Sequence, residues 1–243
     1  MLREIVLVRH GESLGNVAAS AATAAGAEVI NVGYRDPDVP LSPVGREQAQ
    51  ALAGGLKHLL QASDGTRIWS SPYLRALETA QAAVGAAEPA LTITLDERLR
   101  DRELGVLDLL TTIGVAARFP LEAERRRWWG KFYHRPPGGE SWADVALRLR
   151  SFLRDLDSSG AERAIVFAHD AIVLITRFLC EGLSEHQLLQ ISAEDPPRNV
   201  SITVLGRNDP NTAWRTLLYN DVRHLIDSGA PVTEHAGEPD VAH

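Results

Sequence analysis

The sequence predicts an α/β protein: a three-layer α/β/α fold with a mainly parallel central sheet flanked by helices. Three observations carry that expectation. Short apolar runs recur along the chain with helical-period stretches between them, the alternation that builds a parallel sheet covered on both faces. The 243 residues, 44% apolar and 23% charged, suffice for a sizeable α/β core of ordinary globular composition. Three of the runs also end in arginine, histidine or serine instead of turn residues, which marks one edge of the sheet as chemically special.

The elements follow in order. Ile5-Val6-Leu7-Val8 reads as a buried strand that runs straight into Arg9-His10-Gly11-Glu12. Desolvating a cation, an imidazole and a carboxylate is costly unless partners meet them, so other parts of the chain must supply those partners. Residues 17–31, VAASAATAAGAEVIN, are alanine-rich and read as an extra helix over the sheet edge. Ser42-Pro43 places a capping residue before a proline at the first helical position, and Leu52, Leu56, Leu59 and Leu60 follow at helical spacing. Runs at 67–70, 164–168 and 200–205 are further core strands, with 91–95 and 214–219 as additional candidates. Residues 73–87, 141–157 and 170–182 read as helices. Residues 108–140, basic and aromatic together, look like an insertion between core elements. The reading is a single domain over 1–226, followed by a polar, loose tail over 227–243.

Charge and cysteine usage narrow the function. There are 25 Lys+Arg against 32 Asp+Glu, a net charge of −7, which argues against a nucleic-acid or acidic-membrane surface. A small anionic substrate stays open wherever a few arginines converge. Cys180 is the lone cysteine, so no internal disulfide can form, and no Cys/His metal spacing is present. It reads as a small hydrophobe on a helix. The N-terminus lacks a signal-peptide layout, and no apolar run approaches the ~18 residues of a membrane span. A cytoplasmic protein is expected.

Open α/β sheets bind ligands at the carboxyl ends of their strands. After the first run come Arg9 and His10; after 67–70 come Ser71, Pro72 and then Arg75; after 164–168 comes His169. Two histidines and two arginines thus leave the sheet from the same edge. Arginine offers forked donors to phosphate oxygens, helix N-termini add backbone N–H groups, and imidazole supplies a nucleophile at neutral pH. The combination suits a phosphoryl dianion.

LVRHGESLGN resembles the signature of the histidine phosphatase superfamily, which includes cofactor-dependent phosphoglycerate mutases and many phosphatases. SSPYLRALETA, AIVFAHDAIV, LSPVGREQAQALA, GGESWADVALRLRSFL and PPRNVSITVL are similar to further segments of that family, so the resemblance covers residues 3–220. It implies a phosphoglycerate mutase-like fold. It also implies that His10 takes the phosphoryl group on a ring nitrogen while Arg9, Arg75 and His169 hold the oxygens. A cationic His169 would help the arginines keep His10 neutral. Asn16 resembles the family's neutral donor to phosphate; read alone, it is a helix-surface amide. The general acid falls in DERLRDRELG, at Asp101 by alignment or at Glu103 two residues on. Asp170 stands where the family usually has glycine, close enough to bond His169 and raise its pKa.

The resemblance implies neither metal nor other cofactor, and a small-molecule phosphate ester as partner. Three functions remain: a phosphomonoester phosphatase, a mutase, or a non-catalytic phospho-ligand binder. A mutase needs a second anion site, for which Arg125, Arg126, Arg127, Lys131 and Arg135, or Arg100 and Arg102, are the candidates. The alternative for the insertion is a solvated basic helix face with Trp128 and Trp129 on its packed side. An exposed apolar patch around Trp128–Phe132 would instead mark a homodimer surface. Glu140 and Ser141 read as a helix cap.

Overall fold

The computed structural model describes residues 1–61, 65–87, 91–209 and 212–235. Six strands form one sheet: β1 (Glu4–Arg9), β2 (Thr66–Ser70), β3 (Ile93–Leu95), β4 (Arg163–Ala168), β5 (Ile202–Gly206) and β6 (Arg215–Asp221), in the order β3-β2-β4-β1-β5-β6. The β3-β2-β4-β1 portion is parallel, whereas β5 and β6 join antiparallel. All six expected runs are strands, so the mixed but mainly parallel architecture follows the sequence pattern.

Helices cover both faces because β1 and β4, buried between neighbouring strands, are apolar on both sides. Ile5 and Leu7 point to one core with Val145, Leu149 and Phe152 of α6 (Trp142–Ser158) and Ile172 and Ile175 of α7 (Asp170–Glu181). Val6 and Val8 point to the other. There they meet Leu52, Leu56 and Leu60 of α2 (Pro43–Gln61) and Ala80, Ala83 and Val84 of α3 (Leu74–Ala87). Each fully buried leucine of this kind contributes roughly 2 kcal/mol. Helix α1 (Leu14–Ala24) stops well short of residue 31: Gly26 takes a positive φ of 63°, and Val29 bridges to Leu110.

The insertion folds as two helices, α4 (Thr112–Arg118) and α5 (Pro120–Tyr133). Here one expectation is corrected. Trp128 and Trp129 are not on a packed side: they are 88% and 66% exposed, while Phe132 supplies the buried contact against Phe178. The glycine at position 130, with φ 69°, breaks the helical path and turns the tryptophan pair away from the core. Helix α8 (Glu185–Glu194) follows α7, and α9 (Arg223–Ser228) packs on the α2 side. Ser141 caps α6 as expected, accepting from the Asp144 backbone N–H at 3.1 Å, whereas Glu140 takes no part in the cap and its carboxylate accepts from Arg100 at 2.8 Å and Arg148 at 2.9 Å.

The segment 227–235 is not loose. Gln48 Nε2 donates to Pro231 O at 3.0 Å and to Thr233 Oγ1 at 2.8 Å, and Asn199 N donates to Thr233 O. His235 reaches Glu12 at 2.9 Å and Ser20 at 2.8 Å. Low apolar content hid this, because polar side chains and backbone do the anchoring. The rest of the expected tail, 236–243, lies outside the described residues.

Candidate active site

Register sets the site. In the parallel ladders Arg9 is opposite Ala168 and Ser70 is opposite Phe167. The next residues, His10, Ser71 and His169, therefore emerge together at one edge. His10 N donates to Ala168 O at 2.9 Å and Ser71 N to Phe167 O at 2.9 Å, locking three strand ends to one another. The rings of His10 and His169, 3% and 0% exposed, lie 5.2 Å apart between centroids at 62°.

The chain leaves β1 through a backbone crossing. A Cβ at Gly45 would fall 1.9 Å from Glu12 O, and one at Gly11 would fall 2.7 Å from Gly45 O. Both glycines are needed where the β1–α1 loop crosses the start of α2. Thr79 ties this loop to α3, accepting from Gly11 N at 3.0 Å and donating to Arg75 O at 2.7 Å. Ser42 donates to Glu12 Oε1 at 2.6 Å. The buried carboxylate beside the nucleophile loop is thus met by a hydroxyl and by His235.

His10 Nδ1 lies 2.7 Å from Gly11 O. A carbonyl only accepts, so Nδ1 carries the proton and Nε2 keeps its lone pair. The His10 pKa is held well below its ordinary value by burial first, then by the fields of Arg75, His169 and Arg9. His169 is likewise pushed well below its ordinary value, by burial and then by Arg75, Arg148 and Arg9. Burial thus disfavours the charged form of both rings, against the cationic His169 that the resemblance implies, while Arg9 and Arg75 surround them with positive charge.

His169 Nε2 sits 2.9 Å from Ser71 Oγ, and its Nδ1 lies 3.2 Å from Asp101 Oδ2. Nδ1 is buried without a hydrogen-bond partner, so the Asp101 contact is electrostatic and off the N–H direction. Asp170 does not act on His169. Its Oδ1 accepts from Ala171 N at 2.8 Å, a local role at the start of α7, and it is not among the groups that shift the His169 pKa.

The arginines are held by different means. Arg9 Nη1 donates to Pro197 O at 2.6 Å and Nη2 to His235 O at 2.8 Å; its Nε is buried without a partner. Arg75 Nη1 donates to Asp36 O at 2.8 Å and to Asp36 Oδ1 at 2.9 Å. Its Nη2 donates to Asp101 Oδ2 at 3.0 Å. Asp101, with a side chain 23% exposed, also accepts from Arg102 N through Oδ1 at 2.9 Å.

Glu103 stands further out. Its side chain is 46% exposed and accepts from Tyr73 Oη at 2.7 Å; Tyr73 in turn packs its ring edge-on to His169. Asn16 completes the α1 cap, its Oδ1 accepting from Ser13 N and Oγ at 3.1 Å, which leaves the amide N–H groups as its donors.

Sequence reasoning missed four participants. Asp36 follows no strand and gave no signal beyond a turn-like Asp-Pro-Asp. Arg148, behind Asp101 and bonded to its carbonyl at 3.0 Å, reads as a helix-surface residue. The Ser71 contact to His169 and the His235 carbonyl on Arg9 depend on pairings far apart in the chain. Three of the candidates for a second anion site have partners within the protein. Arg100 bonds Glu140 at 2.8 Å, Arg102 bonds Glu140 O and His134 O, and Arg125 bonds Glu122. Among the described residues, no group of three or more His, Cys, Asp or Glu side chains could hold a metal ion. No helix among them is long and apolar enough to cross a membrane.

Residues 5–222 match the model of the histidine phosphatase superfamily (branch 1). The chain is 29% identical over 194 residues to a 2,3-bisphosphoglycerate-dependent phosphoglycerate mutase 2 of Gloeobacter violaceus, covering 78% of this chain and 81% of that protein. It is 28% identical over 191 residues to a 6-phosphofructo-2-kinase/fructose-2,6-bisphosphatase of Caenorhabditis elegans, a match over 78% of this chain but only 37% of that longer protein. Among solved structures, a mycobacterial glucosyl-3-phosphoglycerate phosphatase superposes with a TM-score of 0.69 at 26% identity. That match covers 90% of this chain and 99% of the other.

Proposed function

The chain belongs to the histidine phosphatase superfamily, branch 1, and from that premise we propose that it is a metal-independent phosphomonoester phosphatase acting on a small phosphorylated metabolite through phosphohistidine at His10. The observation that carries the reading is the convergence of His10, His169, Arg75 and Asp101 at one sheet edge, with His10 neutral and its Nε2 lone pair free.

In the first step His10 Nε2 attacks phosphorus and the bond to the ester oxygen breaks. Arg9, Arg75 and His169 hold the non-bridging oxygens, with the Asn16 amide as a further donor. Such preorganised donors are typically worth ~3–4 kcal/mol each in the transition state. Asp101, in its protonated form, gives the leaving oxygen its proton, since an alkoxide leaves poorly. In the second step the Asp101 carboxylate takes a proton from water, whose oxygen attacks phosphorus, and the P–N bond breaks to regenerate His10 and release phosphate. Asp101 is favoured over Glu103 because it contacts both Arg75 and His169, whereas Glu103 is engaged by Tyr73.

Hydrolysis is favoured over mutase chemistry because a mutase must hold a second anionic group, and at Arg100 and Arg125 that group would compete with the carboxylates of Glu140 and Glu122. Binding without catalysis is disfavoured by the carboxyl group at the phosphate locus, which a simple anion receptor would avoid. The test is incubation with p-nitrophenyl phosphate and, separately, with 3-phosphoglycerate plus trace bisphosphoglycerate. Steady phosphate release is the expected result; isomerisation without release would show a mutase, and silence in both assays a binder.

The proposal includes a cytoplasmic setting and a homodimer. The former is supported by the lone Cys180, which leaves no internal disulfide to form. The latter is supported by the exposed Trp128 and Trp129.

A further inference from the structure

An open cleft of about 650 Å³ adjoins the site, walled by residues 29–37 on one side and by Glu103, Asp108 and Leu109 on the other. Two of its lining residues reach the catalytic locus directly: Asp36 through Arg75, and Glu103 through Tyr73. These contacts set the cleft beside the groups assigned to the phosphate. Its charge is one-sided. Asp36, Glu103 and Asp108 line it, and Arg35, the lining cation, is 82% exposed and paired with Asp38 at 2.6 Å. Two further guanidiniums reach this end and both are already engaged: Arg75 faces Asp36 and Asp101, and Arg100 lies 3.7 Å from Glu103 and 2.8 Å from Glu140.

Resting on the phosphatase reading above, we propose that this cleft selects the leaving group by charge, with Asp36 as the specificity-determining residue: the substrate is a phosphomonoester whose alcohol portion carries no negative charge, and an ammonium-bearing alcohol suits it best. A carboxylate on the alcohol would enter a space where like charges face it and the cations at hand, Arg35, Arg75 and Arg100, are each paired with a carboxylate, and like-charge juxtaposition is what discriminates against a wrong partner. An ammonium would meet the same carboxylates favourably, and the half-exposed Tyr34 ring in the wall adds a face for a cation. Burial, and repulsion from Asp101 and Asp108, raise the Asp36 pKa against the pull of Arg75, which agrees with a crowded anionic wall.

The test compares kcat/KM for phosphoethanolamine, glycerol 3-phosphate and 3-phosphoglycerate, with p-nitrophenyl phosphate as the general substrate. The expected order is ammonium, then neutral, then carboxylate, with 3-phosphoglycerate at least tenfold below glycerol 3-phosphate. Asp36→Asn and, separately, Asp108→Asn should each raise the ratio of 3-phosphoglycerate to glycerol 3-phosphate severalfold. A ratio is read because displacement of Arg75 alone would lower both substrates together. Release from p-nitrophenyl phosphate with no charge preference in the wild type, or ratios unmoved in both variants, overturns the inference and leaves the phosphatase reading standing. No release from any ester overturns both.

Discussion

The imidazoles of His10 and His169 face each other edge-on at 5.2 Å, and their flanking groups are unlike. His10 rests on the carbonyl of Gly11 at 2.7 Å, whereas His169 lies between the Ser71 hydroxyl at 2.9 Å and the Asp101 carboxylate at 3.2 Å. The asymmetry agrees with the proposed division of roles, in which the ring fixed by its own loop attacks and the ring set among polar side chains responds to charge on the substrate.

His10→Ala should therefore abolish turnover, and rapid-quench labelling with a 32P-ester should show an acid-labile phosphoryl group on wild type and none on the variant. His169→Ala should retain the nucleophile and lose about 10²–10³-fold in kcat. Undiminished turnover in His10→Ala refutes the mechanism.

Asp101→Asn should slow phosphate release according to the leaving group. Alkyl esters, which need a proton, should fall by about 10²–10⁴-fold, and p-nitrophenyl phosphate by much less. Glu103→Gln should show no such dependence. A reversed pattern would assign the acid to Glu103.

Two glycines of the same helix should respond oppositely to alanine. At Gly45 the added carbon meets the Glu12 backbone at 1.9 Å, so Gly45→Ala should cost upwards of ~3 kcal/mol in urea unfolding. At Gly54 nothing lies within 4 Å, and Gly54→Ala should be stabilising by up to ~1 kcal/mol.

Stability should fall on mild acidification. His10, His134, His169 and His224 all have folded-state pKa values below the ordinary 6.5, with burial the leading cause in each. Below pH 6.5 the unfolded chain binds more protons than the native one, so stability rises with pH through that window and is lost on descending it. The slope approaches about 1.4 kcal/mol per pH unit for each histidine fully in play. His224 leaves both ring nitrogens buried without partners, so His224→Phe should be neutral at pH 7.5 and stabilising at pH 5.5. Equal urea midpoints at both pH values would refute the account.

A chain ending at Ala230 should lose the His235 carbonyl on Arg9 and the Gln48 and Asn199 anchors. A raised KM for p-nitrophenyl phosphate and a lower urea midpoint are expected. An unchanged KM would show that Arg9 is positioned by Pro197 alone.

The sequence by itself determined the strands, the sheet edge and the four groups that leave it. Buried parallel strands must be apolar on both faces, and a polar residue directly after such a run, as at Arg9-His10 or His169, therefore stands out. Asp36, Arg148 and His235 follow no such run and read as surface residues. The partners that place them on Arg75, Asp101 and Arg9 come from distant segments. Only the tertiary structure decided the direction in which the His169 pKa moves, because desolvation depends on everything packed around the ring. It also decided the exposure of Trp128 and Trp129, because the helix that contains them is broken at the non-helical Gly130, which ends the periodicity the sequence suggests.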